Sequence, residues 1–323
     1  MCLIFNIKKI NNIIKMQICF YNMNHIGDIY FSSLFIKIIC NLNRDKQFYY
    51  YFINGDIFFE NIDNIKRLGK IENNYLNNLI NGYPPENLVN NEILQILINN
   101  NMQAEGARII KINNEEILFI NTWCGSNYIY HAGSDFDINS AIEPYKKLIE
   151  KLNNDYNLNI IYKLDDPKEL INDINYYNKL FLEKYSDIDV TCSVFIFNYI
   201  PRSIKFDIND LNNYISELSK TKKIILACYN NIFDNNENIK FIDKDYNIIP
   251  NPNCSNLIEI WEIAIKCNKI IILQTGGSWT FFHKLNEIKE DQIYLFHGNQ
   301  YIDRLNNNIN LLLGENKNLI KLL

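Results

Sequence analysis

The run QICFYNM, at residues 17–23, is short, apolar and rich in residues that favour strands. A segment that contains a glycine, residues 24–28, separates it from a helical pattern over residues 29–42. The aromatic segment 46–53 then predicts a second strand. A strand, a helix and a strand in this order form the unit that builds parallel sheets through right-handed crossovers. The N-terminal part of the chain is therefore predicted to be α/β.

The remainder of the chain continues to alternate between strand and helix patterns. A hairpin is predicted from residues 109–112 and 116–121, and an amphipathic helix over 139–153. A second series of elements begins with a strand over residues 190–197. Its later members are a helix over 208–220, strands over 223–228 and 239–242, a helix over 256–267, a strand over 269–273 and a helix that begins near Ser278.

These patterns predict an α/β chain of two Rossmann-like domains with mainly parallel sheets, which face each other across a ligand cleft. The N-terminal domain is expected to comprise residues 16–186 and the C-terminal domain residues 187–323. The length of 323 residues suits two domains of ordinary size, and 47% hydrophobic residues are enough for two cores. Residues 1–15 are interpreted as a short extension, or as preceding a true start at Met16, which directly precedes the first strand.

The charge pattern argues against nucleic acid as a partner. The formal net charge is −5, and lysines and arginines are scattered among acidic residues rather than gathered into a basic stripe. No run of about 18 apolar residues is present, so no transmembrane segment is predicted.

Cysteine and histidine usage indicates the compartment and the absence of a recognisable metal motif. The eight cysteines form no CxxC pair, and most lie inside apolar runs, as buried small side chains do. This usage fits a reducing compartment, and we expect a cytoplasmic protein. The four histidines show no HxxxH spacing, so no metal site is predicted.

The segment NHIGD, residues 24–28, follows the first predicted strand and precedes its helix. Ligands collect at this position of an open parallel sheet, because the loops leave a crevice that the helix amides face. Gly27 would let the backbone approach a ligand closely. Asp28 has two interpretations: a helix N-cap, or a general base held over the cleft.

The segment LQTGGSW, residues 273–279, follows a buried-strand pattern and precedes another helix. Backbone amides and hydroxyls at such a turn can hold phosphate oxygens, helped by the helix dipole. The candidate phosphate ligands are Thr275, Gly276, Gly277 and Ser278. The segment is neither a P-loop, since it lacks GK[ST], nor a GxGxxG fingerprint, and a turn that merely connects strand and helix is the alternative.

Arg202 and Lys205 follow the first strand of the C-terminal domain. A guanidinium binds a diphosphate through a bidentate fork, whereas an ammonium acts as a point charge. If both halves are Rossmann-like, this loop and the Thr275 turn lie on the same edge of one sheet. A solvated surface pair is the alternative.

Trp123 and His131 follow the predicted hairpin. A Trp beside polar residues can stack on a sugar ring, and His131 can act as an acid, a base or a hydrogen-bond donor. A core position for the Trp and a structural role for the His are the alternatives.

Three of these segments together resemble the lipopolysaccharide heptosyltransferases of glycosyltransferase family nine. The run HIGDI (25–29) followed by SSL (32–34) is similar to that family's N-terminal LGD motif and its small-residue helix. Residues 267–279 resemble the family's C-terminal strand and DTG turn. Arg202 and Lys205 resemble the basic residues of its intervening loop.

The resemblance implies a GT-B architecture, with the acceptor in the N-terminal domain and a nucleoside diphosphate sugar as donor in the C-terminal domain. It implies that Asp28 is the general base of an inverting transfer, while the basic pair and the amides of residues 275–278 stabilise the departing diphosphate. It implies no metal ion or other cofactor. The residues expected on the acceptor side are His25, Gly27, Trp123 and His131.

Two positions depart from the family pattern, since Gln274 stands where the family usually has Asp and Trp279 where it usually has His. The leading hypothesis is a metal-independent, inverting glycosyltransferase that acts on a glycan or another hydroxyl acceptor. The departures leave a second hypothesis open, a GT-B-like module that binds a nucleotide sugar or glycan without catalysis. A third is another two-domain α/β enzyme that acts on a phosphorylated metabolite.

Overall fold

Strands and helices alternate along both halves of the computed structural model. It describes residues 16–22, 26–52, 56–59, 62–68, 92–102, 106–123, 138–171, 179–199, 207–243, 257–296, 302–315 and 317–323. Within these residues, the strands form two sheets, one of five strands and one of six. The predicted α/β fold with two mainly parallel sheets is confirmed.

The N-terminal sheet is built from the first five strands. Its elements are β1 (Gln17–Asn22), α1 (Ile26–Leu42), β2 (Phe48–Phe52), β3 (Ile65–Arg67), α2 (Glu92–Asn99), β4 (Ala107–Ile112), β5 (Glu115–Asn121) and α3 (Ile138–Tyr156). The strand order is β3-β2-β1-β5-β4, and every neighbouring pair is parallel except β4 and β5. Those two strands form the predicted hairpin. Asn113 and Asn114 turn it with φ values of 49° and 68°, a conformation that asparagine tolerates.

The C-terminal sheet is parallel throughout. Its elements are α4 (Lys179–Lys184), β6 (Ser193–Phe197), α5 (Ile208–Ser219), β7 (Lys223–Cys228), β8 (Ile239–Asp243), α6 (Glu259–Ala264), β9 (Lys269–Ile272), a 3₁₀ helix (Gly276–Glu287), β10 (Ile293–Leu295), α7 (Ile302–Leu313) and β11 (Ile320–Leu322). The strand order is β11-β10-β9-β6-β7-β8. Counted from β6, this is the 3-2-1-4-5-6 order of the dinucleotide-binding Rossmann fold.

Each sheet has one place where the chain reverses its direction of travel across the strands. In the N-terminal sheet the chain moves outward from β1 to β3 and then returns to the other side of β1 as β5. In the C-terminal sheet the reversal lies between β6 and β9. Ligands bind outside the carboxyl ends of the strands at such points, so the topology assigns one crevice to each sheet.

Helix α1 is buried on all sides and joins the two halves. Every side chain over residues 29–36 is buried, which a helix on the surface of a domain would not show. On one side α1 packs against the 3₁₀ helix Gly276–Glu287, and one continuous hydrophobic core contains residues of both halves. No helix among the described residues has the length and apolar character needed to cross a membrane.

Candidate active site

Asp28 lies in the first turn of α1, directly after the carboxyl end of β1, and its side chain is half-buried. Because α1 begins at Ile26, Asp28 lies inside the helix, while the residue that would be the N-cap falls outside the described residues. A carboxylate in a first turn is stabilised by the helix dipole. Asp28 therefore lies at the carboxyl edge of the N-terminal sheet, the position from which a general base would reach a ligand in that crevice.

Trp123 lies at the same crevice, two residues after the end of β5. Strands β1 and β5 are parallel neighbours, so their carboxyl ends lie side by side. The Trp123 amide donates a hydrogen bond to Asn121 Oδ1 at 3.0 Å, which turns the chain as it leaves the sheet. The Trp123 side chain is half-buried and therefore keeps exposed surface at this edge.

The predicted phosphate turn follows β9 at the crevice of the C-terminal sheet. Thr275 caps the 3₁₀ helix Gly276–Glu287, and its Oγ1 accepts a hydrogen bond from the Ser278 amide at 3.3 Å. The Thr275 amide donates in return to Ser278 Oγ at 3.3 Å, which completes a capping box. The Ser278 hydroxyl itself donates to the Thr275 carbonyl at 2.7 Å. The Ser278 proton is thus used within the turn. The amides of Gly276 and Gly277 belong to the first turn and have no acceptor within the helix, so they are the groups that a phosphate would meet.

Two buried side chains that the sequence analysis did not select hold this turn in place. The Thr280 hydroxyl donates to the Gly277 carbonyl at 2.7 Å and accepts a hydrogen bond from the Trp261 indole at 2.7 Å. Both side chains are fully buried. The three-residue spacing of Thr280 from Gly277 could have indicated their hydrogen bond. No local pattern could have indicated the contact with Trp261, because that residue belongs to the preceding helix.

Gly277 has a packing role in addition to its predicted role as a phosphate ligand. A Cβ at this position would lie 3.3 Å from Cζ of Phe197 and 3.6 Å from Cδ2 of Leu257. The missing side chain therefore lets the turn pack against the end of β6. This packing brings the turn after β9 against the strand that precedes the predicted Arg202 and Lys205 loop.

An aromatic contact joins the two crevices. The rings of Phe31 and Trp279 meet edge to face with centroids 5.1 Å apart, and Phe282 completes the group at 5.4 Å from Trp279. Phe31 follows Asp28 by three residues, a spacing that places both side chains on the same face of α1. Trp279 directly follows Ser278. The face of α1 that carries Asp28 is therefore the face that packs against the phosphate turn.

Behind this contact lies a histidine that is neutral at ordinary pH. His283 is almost fully buried, and burial is the main cause that lowers its pKa to about 4. Its Nδ1 lies 2.5 Å from the Thr280 carbonyl, so Nδ1 carries the proton and donates it. Tyr30 of α1 packs in the same region, and burial raises the pKa of its hydroxyl. Neither group is placed to exchange protons at the crevices.

Four predicted site residues, His25, His131, Arg202 and Lys205, lie outside the described residues. The structure places Gly27, Asp28 and Trp123 after the carboxyl ends of the neighbouring strands β1 and β5, and residues 275–278 after the carboxyl end of β9. Among the described residues, no group of three or more His, Cys, Asp or Glu side chains is arranged to hold a metal ion.

Comparisons with known proteins find a likeness only at the level of the backbone. No family model matches the sequence, and no curated protein matches it. Among solved structures, E. coli heptosyltransferase WaaC with ADP is similar, with a TM-score of 0.44 and 7% identity over 95% of this chain and 92% of that one. A glycosyl transferase family 9 protein from Veillonella parvula DSM 2008 has a TM-score of 0.41 and 9% identity over 86% of this chain and 80% of that one.

Proposed function

We propose that this protein is a metal-independent, inverting glycosyltransferase that moves a sugar from a nucleoside diphosphate sugar to a hydroxyl of a glycan or another acceptor. The observation that carries the proposal is the packing of α1 against the phosphate turn through Phe31 and Trp279, with centroids 5.1 Å apart. It supports the proposal because it brings the helix that carries the half-buried Asp28 against the helix whose first-turn amides are the predicted phosphate donors. Transfer between two sugars requires this combination, a base on one side and a diphosphate site on the other.

In this mechanism the acceptor binds at the N-terminal crevice, between Asp28 and the half-exposed ring of Trp123. Asp28 takes the proton of the acceptor hydroxyl, and the oxygen attacks the anomeric carbon of the donor. The bond from that carbon to the diphosphate oxygen breaks, and its electron pair leaves with the diphosphate. Attack from the side opposite the leaving group inverts the anomeric centre.

The departing diphosphate gains one negative charge, which is spread over its oxygens and must be stabilised. The amides of Gly276 and Gly277 and the dipole of the helix that follows them supply this stabilisation. Arg202 and Lys205, which follow β6 in the sequence, are predicted to neutralise the negative charge of the diphosphate from the same edge of the sheet. Neither contribution requires a metal ion or another cofactor. The cysteine usage supports a cytoplasmic location.

A second candidate function is a binding module without catalysis. It is favoured by one observation: Trp279, which stands at the meeting point of the two crevices, is packed between Phe31 and Phe282. An indole held in this way donates at most one hydrogen bond and accepts no proton, unlike the His that the related family has there. The two functions differ in turnover and not in donor binding.

The first test is a thermal shift of the purified protein with UDP, GDP, ADP, CDP, dTDP and simple sugar phosphates, each with and without EDTA. A ligand that binds the native state raises the melting temperature by mass action. We expect stabilisation by one nucleoside diphosphate, insensitive to EDTA and lost when Arg202 and Lys205 are both replaced by Ala. Stabilisation by a sugar phosphate in preference to every nucleotide would contradict the proposal and indicate an enzyme of phosphorylated metabolites.

A further inference from the structure

A chain of buried hydrogen bonds connects the first turn of α1 to the ends of β1 and β5. The Ser32 hydroxyl lies 2.6 Å from the Asp28 carbonyl oxygen, and the Asn22 side-chain amide donates to Ser32 Oγ at 3.1 Å. At the other end, the Tyr145 hydroxyl donates to the Thr122 carbonyl at 2.7 Å. Ser32, Asn22, Thr122 and Tyr145 are all buried.

The distances fix the direction of each bond around Ser32. A serine hydroxyl has one proton, and its shorter contact is with the Asp28 carbonyl rather than the Thr122 carbonyl at 3.2 Å. Ser32 therefore donates to Asp28 and accepts from Asn22. The backbone of the residue that carries the proposed base is thus tied, through one hydroxyl, to the last residue of β1.

We propose that Ser32 is a positioning residue for Asp28 and that its hydroxyl sets the height of the carboxylate above the acceptor crevice. The inference rests on the proposed function, since it concerns the base of that reaction. Proton transfer depends steeply on geometry, and a displacement of about 1 Å can cost up to about 100-fold in rate. A bond from a fully buried hydroxyl to the Asp28 carbonyl restrains the first helical turn in addition to the hydrogen bonds of the helix itself.

The chain offers a matched control one residue away. Ser33 is also fully buried, and its hydroxyl donates to another α1 carbonyl, that of Tyr30, also at 2.6 Å. Ser33 differs in having no described bond to Asp28 or to the strand ends. Replacing either serine by Ala removes one buried hydroxyl and one 2.6 Å bond to a carbonyl of the same helix, and Ser32→Ala also removes the acceptor of the Asn22 amide.

The test compares Ser32→Ala and Ser33→Ala in the full chain. We expect a larger loss of melting temperature for Ser32→Ala, because the buried Asn22 amide loses this acceptor, and a fall of about tenfold in its kcat at unchanged donor KM. Ser33→Ala should keep kcat within about twofold of wild type. Tyr145→Phe is the second variant, should Ser32→Ala fold poorly. It keeps the ring that stacks on Phe35 at 4.0 Å, removes only the hydroxyl, and is expected to lower kcat about threefold.

Amide hydrogen exchange of the protein without substrate gives a readout that does not depend on turnover. Ser32→Ala should speed exchange over residues 26–32, and Ser33→Ala should leave that segment as in wild type. Equal effects of the two variants on kcat and on exchange, in an active wild-type enzyme, would overturn the positioning role alone. A wild type that binds donor and transfers no sugar would overturn the proposed function, and the inference with it.

Discussion

The ring of Phe31 meets the indole of Trp279 edge to face, with centroids 5.1 Å apart and planes at 65°. Phe31 belongs to the helix that carries Asp28, and Trp279 belongs to the helix that begins with the phosphate turn. This contact joins two elements that belong to different sheets. Under the proposed function, its geometry is expected to bear on turnover as well as on stability.

The first prediction concerns Phe31→Leu, which keeps a buried apolar side chain and removes the ring. We expect a loss of about 1 kcal/mol of unfolding free energy, the usual value of an edge-to-face pair, together with a clear fall in kcat. Chemical denaturation and a transfer assay measure the two effects. Phe20→Leu is the control, because Phe20 is equally buried and pairs with Phe48 inside the N-terminal sheet. A fall in kcat of equal size in both variants would show that the contact between Phe31 and Trp279 has no specific effect on turnover.

The second prediction distinguishes the two roles of Gly277. If the glycine serves packing, Gly277→Ala should weaken binding of the nucleoside diphosphate because the new Cβ pushes against Phe197. Adding Phe197→Leu removes the opposing Cζ and should restore most of that binding. The measurement is the donor Kd of both single variants and the double variant, read as a double-mutant cycle. Binding that stays lost in the double variant would favour close backbone approach of the ligand instead.

The third prediction concerns the cap of the phosphate turn. Thr275→Ala removes the side-chain acceptor of the Ser278 amide, leaves only the Thr275 carbonyl as acceptor, and should lower the unfolding free energy by about 1 kcal/mol. Donor affinity should fall as well, because the Gly276 and Gly277 amides lose their fixed direction. Thr275→Ser keeps the hydroxyl and is expected to behave like wild type in both measurements. Loss of affinity in the Ser variant would show that the threonine methyl group matters, and not the cap.

The fourth prediction follows from the lowered pKa of His283. The unfolded chain binds a proton with the ordinary pKa of 6.5, whereas the folded protein binds it only near pH 4. Stability from neutral His283 is therefore complete above pH 6.5 and declines as the pH falls towards 4, by on the order of 3 kcal/mol in total. Urea unfolding at several pH values should show this slope, and His283→Asn, which keeps a donor for the Thr280 carbonyl, should remove it. An unchanged slope in that variant would assign the acid sensitivity to other groups.

Local patterns in the sequence were sufficient to predict the strands and helices that border the N-terminal crevice. The apolar run 17–23, the glycine of segment 24–28 and the helical pattern after it correspond to β1 and α1. The hairpin was also predictable, since two asparagines between apolar runs favour a tight turn. The domain boundary between residues 186 and 187 stays a prediction.

Long-range pairings were not predictable from one sequence. Nothing near β5 indicates that it returns to the free side of β1, because strand order is set by packing between distant segments. The contact between Phe31 and Trp279 also joins two segments that are distant in the sequence, so it was not predictable either. The predicted helix near Ser278 is instead a 3₁₀ helix that starts at Gly276, and two adjacent glycines, which are poor α-helix formers, are consistent with this difference.

Local hydrogen bonding adds a capping role to residues 275–278, whose role as phosphate ligands stays a prediction. A serine hydroxyl in a glycine turn indicates a phosphate ligand by composition alone, yet Ser278 donates its proton to Thr275. Capping boxes usually have Glu or Gln at the position of Ser278, so the sequence did not indicate a capping box here. The amides of Gly276 and Gly277 remain as the predicted donors.

The most direct measurement is sugar transfer by Asp28→Asn beside its donor binding, using the nucleoside diphosphate sugar that the thermal shift identifies. Asp45→Asn, at an exposed carboxylate in the turn after α1, is the control for loss of one charge. We predict that Asp28→Asn lowers kcat by at least about 100-fold, the usual contribution of a general base, while the donor Kd stays within about twofold of wild type. Turnover at the wild-type rate in Asp28→Asn would contradict the role of Asp28 and the mechanism built on it.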